Sequence, residues 1–157
     1  MIDWYEINGI NPIQWQTGTA SAGRRDGRIV ANRLAKPPEL EVYQKAIKEH
    51  FEGLSPVPPM YSFPTGIRLE FHFRQVLEDW KLLDGRRSKR SRRDATNLQK
   101  ALEDALQGVL FRNDSAVVDI RSVVETVQTG EPFIGIGIGP ATGDEFYLGF
   151  GRYQWER

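Results

Sequence analysis

At 157 residues, with zero formal net charge and 27% charged side chains, the chain is sized for one soluble domain with a core of its own. It has no cysteine and only two histidines, His50 and His72, which excludes disulfides, thiolate zinc sites and a three-histidine zinc centre, and fits a reducing cytoplasm. No apolar run is long enough to cross a bilayer and Met1–Trp4 opens no signal peptide, so neither a membrane-anchored nor an exported protein is expected.

In chain order, residues 4–10 alternate loosely and predict a first strand. Residues 11–38, rich in Gly, Asn and Pro and carrying Arg24, Arg25, Arg28 and Arg33, read as a long loop with a short strand at Ile29-Val30. Pro37-Pro38 opens a helix to about Phe51, with Leu40, Tyr43, Ile47 and Phe51 at helical spacing, and Gly53 ends it. Pro56, Pro58, Pro59 and Pro64 make a stiff connector. Ile67, Leu69, Phe71 and Phe73 alternate with Arg68, Glu70, His72 and Arg74, the pattern of a half-buried strand whose polar face is solvated. Residues 81–93 follow as a basic flexible loop: Lys81, Arg86, Arg87, Lys89, Arg90, Arg92 and Arg93 crowd together with only Asp84 among them. Leu98, Leu102, Ala105, Leu106 and Val109 form the apolar stripe of a second helix, which Gly108 ends. A strand runs from Val117 to about Val127, and Phe133, Ile134, Ile136 and Ile138 alternate with glycines in a last core strand whose other face is left bare for close approach. Gly135, Gly137 and Gly139 precede no helix, so they are no dinucleotide fingerprint. The aromatic tail, 143–157, suits an edge strand or a partner contact. The reading is α+β: a small mixed β-sheet with helices packed on it.

Chemistry concentrates around the second helix. Asn97, Lys100 and Asp104 fall on one helical face, opposite the leucines; Asp94 stands at the helix entry and Asp114 beyond its end, at the head of a strand. Acids converging beside a lysine are what metal-assisted cleavage of a phosphodiester requires. A hard cation such as Mg2+, with Mn2+ as a substitute, is held by one or two carboxylates, and a lysine adds positive charge for the transition state. The basic run directly before them suits phosphate binding. Each feature also has a plain structural role. Asp94 can be a helix N-cap, Thr96 with Gln99 a capping box, Lys100 with Asp104 a surface pair, and Asp114 a turn residue. His72 reads more readily as a surface histidine than as a ligand, and Trp4, Trp15, Trp80 and Trp155 as core or interface rather than base-stacking groups.

The run Arg92-Arg93-Asp94-x-x-Asn97-Leu98-Gln99-Lys100-Ala101-x-x-Asp104-Ala105-Leu106, followed by Asp114-Ser115-x-Val117-Val118-Asp119-x-Arg121, resembles the RusA-type Holliday-junction resolvases, frequent in phages and prophages. The resemblance is strong from about Arg92 to Val124, weaker at the strand around Glu70 and the helix near Tyr43, and does not cover residues 1–35 or the tail. It implies a RusA-like homodimer of one nuclease domain over 1–157, acting in the cytoplasm of a bacterial or phage-infected cell as a crossover junction endodeoxyribonuclease. Such an enzyme uses Mg2+ to cut four-way or branched DNA in pairs. Carried over by position, Asp94, Lys100 and Asp114 are catalytic. Asp94 and Asp114 hold the metal, with Thr96 and Asp104 as further candidate ligands. Arg86, Arg87, Lys89, Arg90, Arg92 and Arg93 grip DNA, while Asn97, Asn113, Glu70 and His72 are candidates to support the ligands. The family pattern is Asp-x-Asp-Asn-x-x-Lys-x-x-x-Asp, then Asp-Asp; here Thr96 stands in place of the second aspartate and Asn113 in place of the first acid of the pair. The site thereby loses a carboxylate, for which Glu70 and Asp119 are candidate replacements that the sequence alone does not place. The alternative is a junction-binding protein that cleaves weakly or not at all; a third reading is a phage structural protein with a chance motif, which would show no preference for branched DNA.

Overall fold

The computed structural model describes residues 2–14, 22–26, 28–31, 36–76 and 95–141. Their elements are β1 (Asp3–Asn8), β2 (Ala22–Arg25), β3 (Arg28–Ala31), α1 (Pro38–Glu52), β4 (Ile67–Val76), α2 (Ala95–Leu106), β5 (Val117–Val127) and β6 (Phe133–Pro140). The main sheet has the order β1-β6-β4-β5, and β2 pairs with β3 as a separate hairpin, where a single short strand is expected from the sequence. Strand β4 pairs antiparallel with β6 and parallel with β5. A parallel pair needs a crossover, and α2 lies in the chain that connects β4 to β5.

Period-two alternation sorts the side chains. Leu69, Phe71 and Phe73 of β4 pair with Ile138, Ile136 and Ile134 of β6 on one face, where they are wholly buried with Ile7 of β1. Leu40, Tyr43, Ile47 and Phe51 of α1 and Leu98, Ala101, Leu102, Ala105 and Leu106 of α2 complete that core. Burying one such side chain stabilises by roughly 1.5–3 kcal/mol before entropy is counted, so this face supplies the main drive to fold. Val109, expected on the stripe of α2, instead lies in the turn beyond it and packs on the core from there.

The other face departs from the solvated surface expected. Glu70 and His72 are 0% and 1% exposed. The glycine face of β6 admits a close approach: Trp4 of β1, opposite Gly137, lies across it, and a Cβ at Gly137 would stand 2.6 Å from the indole ring. Trp4 also meets the His72 ring edge-on at 6.3 Å. Among the described residues no helix is long and apolar enough to cross a membrane.

Candidate active site

Helix α2 carries its polar face away from the core. Helical arithmetic puts Thr96, Lys100, Glu103 and Asp104 on that side. Thr96 and Lys100 are exposed, and Asn97, Glu103 and Asp104 half-buried. Gln99 does not complete a capping box: its Oε1 accepts a hydrogen bond from Ser122 Oγ of β5 at 2.8 Å, tying α2 to the sheet. On the far side, Gln44 of α1, 5% exposed, donates from Nε2 to the Ala101 carbonyl at 3.0 Å. The polar face is thus held from both neighbours.

The turn after α2 brings back the remaining acid. Gly108, at φ +80, takes a conformation that a side chain would strain, and its N–H donates to the Phe111 carbonyl at 2.7 Å. The chain then enters a single 3-10 turn, Asp114–Ala116, directly before β5. Asn113 caps this turn by accepting from Ser115 N–H at 2.8 Å, so its side chain serves the backbone. Exposed Asp114 is thereby close enough for its charge to reach α2. Burial first, then Asp104 and Asp114, push the Glu103 carboxyl above the usual range, against Lys100. Asp104 is pushed up by burial and by Asp114, while Lys100 and Lys36 pull it down. The charges of Lys100 and Asp114 thus reach both Glu103 and Asp104, and that of Lys36 reaches Asp104. Glu103 was legible as the residue one turn beyond Lys100. Lys36 had no local signal, because only the packing of α1 on α2 brings it there.

Glu70, His72 and Asp119 do not join this group. Strand alternation puts them on the opposite face of the sheet from α2, so the expectation that Glu70 or Asp119 would replace the missing acid, or that His72 would support it, is corrected. There Arg68 Nε meets Asp119 Oδ2 at 2.7 Å and Arg121 Nε stands 4.0 Å from the same oxygen. Neither oxygen of Glu70 accepts a hydrogen bond from the described residues. Burial raises its carboxyl to about 7, against the pull of Arg121 and Arg68. His72 is lowered by burial. Asp94, the basic residues Arg86, Arg87, Lys89, Arg90, Arg92 and Arg93, and the tail 143–157 lie outside the described residues.

The family model of endodeoxyribonuclease RusA matches residues 18–139. The chain belongs to the RusA family. The match takes in α1, the whole of α2, the Asp114 turn and both central strands, so the polar face of α2 lies inside the family's nuclease domain. No curated protein matches the sequence. RusA proteins depend on divalent metal. By donor chemistry the hard carboxylate oxygens of Asp114 and Asp104 fit such an ion. Among the described residues, no three His, Asp or Glu side chains stand together closely enough to hold one. Asp94, next to Ala95 at the start of α2, lies outside the described residues.

Proposed function

We propose that this RusA protein is a Mg2+-dependent endonuclease that resolves Holliday junctions and other branched DNA by paired cuts, working as a homodimer in the cytoplasm of a bacterial or phage-infected cell. The observation that carries the reading is the convergence of Lys100 and Asp104 of α2 with Asp114, which the Gly108 turn returns to them. Asp94 and Asp114 would hold the cation, with Asp104 or the Thr96 hydroxyl nearby. Bound there, it would supply positive charge to the phosphoryl oxygens and a water poised to attack.

The chain's own groups do the rest. Lys100, on an exposed turn of a helix clamped at Gln99 and Ala101, offers an ammonium to charge developing on the phosphate. Arg86, Arg87, Lys89, Arg90, Arg92 and Arg93 would hold the flanking backbone without reading sequence. The second reading, a protein that binds junctions and cleaves poorly, is favoured by one observation: Thr96 offers no carboxylate on the exposed start of α2.

Nicking of a synthetic four-way junction with and without Mg2+ separates the two. Wild-type protein should nick only with the ion. Asp114→Asn should bind the junction as tightly yet lose turnover, by about 100-fold or more, since a lost ligand removes transition-state charge and leaves phosphate contacts in place. Wild-type turnover in Asp114→Asn would remove this residue from the site. Tight binding by the wild type with no cut under any divalent ion would leave the binding-only reading.

A further inference from the structure

Lys36 occupies a position that helix stability does not explain. It lies one residue before Pro37, the N-cap of α1, at the end where the helix dipole is positive and a cation is disfavoured. The first turn holds its own acids, Glu39 and Glu41, yet the ammonium is directed elsewhere. Lys36 Nζ donates to Gln44 Oε1 at 2.7 Å. Gln44 is itself buried, and the other half of its amide is spent on the Ala101 carbonyl of α2. A buried carboxamide with both ends engaged is a rigid mount. It fixes an exposed lysine against the helix that bears Lys100 and Asp104, and the charge of Lys36 reaches Asp104. The bond to Gln44 takes one of three ammonium protons, which leaves the group its full charge and further donors.

We infer that Lys36 is a further backbone-phosphate contact of the nuclease site, set near Asp104 of α2 and positioned by Gln44. The assignment rests on the nuclease reading for its substrate. Its geometry is an exposed ammonium on a buried mount beside an acid of the site. A cation held there would engage the strand next to the scissile phosphate, equally before and during cleavage. It therefore acts on substrate affinity rather than on the chemical step.

Junction and linear-duplex binding are measured against salt concentration for the wild type, Lys36→Gln, Lys36→Arg and Gln44→Leu, together with nicking kinetics and thermal melts. Lys36→Gln should raise Kd at fixed salt, lower the log–log salt slope by about 0.9 and raise KM with kcat unchanged. Lys36→Arg should keep the wild-type slope. Gln44→Leu, which retains the lysine but removes its mount, should weaken junction binding as Lys36→Gln does, an effect that loss of stability alone would not give while the protein remains folded. A wild-type slope in Lys36→Gln, or a fall in kcat without a change in slope, overturns the assignment. If the wild type binds junctions but never cuts them, the nuclease reading fails while the slopes still decide Lys36; if it binds no DNA, both fall.

Discussion

Glu70 carries a carboxyl with no exposure and a pKa of about 7, raised by burial against the opposing pull of Arg121 and Arg68. The folded chain therefore keeps this proton over a range in which the unfolded chain, titrating near 4.5, has lost it. Stability from the group is fully present below the unfolded value and is lost as pH rises through about 7. Glu70→Gln, which keeps the shape and removes the charge, should melt higher than the wild type at about pH 8, and the gap should close as pH falls toward about 5. A pH-independent gap, or a mutant less stable at high pH, would show that the ionised carboxylate is satisfied in the fold. The burial of this residue could not be read from its strand, where an acid between arginines is the mark of a solvated face. What covers a strand face comes from other strands. The same limit hid Lys36, whose site neighbours are far along the chain, whereas Lys100, Asp104 and Asp114 were readable because one helix and one turn set their spacing.

At the scale of elements, β1 and β6 are joined by a ring on a glycine. The indole of Trp4 fills the space above Gly137, which lets the outer face close over His72. Gly137→Ala should destabilise the protein by roughly 1–3 kcal/mol, because the new methyl must displace the ring. Trp4→Ala should cost stability alone but remove most of the penalty of Gly137→Ala, a coupling measured in a double-mutant cycle by chemical denaturation. Additive losses would mean that the ring moves aside freely. The strands and helices themselves were largely legible. The leucines of α2, the apolar stripe of α1 and the alternation of β4 each announce a buried face, and the boundaries at Gly53 and Val117 follow. The β2–β3 hairpin is not legible beyond a loop with one strand, because four-residue strands around Asp26 are too short for alternation to register. The order β1-β6-β4-β5 was not legible at all, since pairing joins residues far apart in sequence.

For the whole molecule, zero net charge has a consequence for assembly. Two copies meet without net repulsion, even though residues 81–93 are strongly basic. A four-way junction presents two equivalent strands related by a two-fold axis, and a symmetric dimer would offer each strand one copy of α2 and its Asp114 turn. Paired cutting then needs two working sites in one complex. Dimers assembled from one wild-type chain and one Asp114→Asn chain, distinguished by an affinity tag, should bind junctions like the wild type but leave them nicked on one strand. Nicked junctions should accumulate, and linear resolution products should be scarce. Sedimentation should return twice the chain mass for the wild type and the mixed species alike. Full resolution by the mixed dimer would mean that a single site makes both cuts in turn, and a monomer that resolves junctions unaided would remove the dimer from the mechanism.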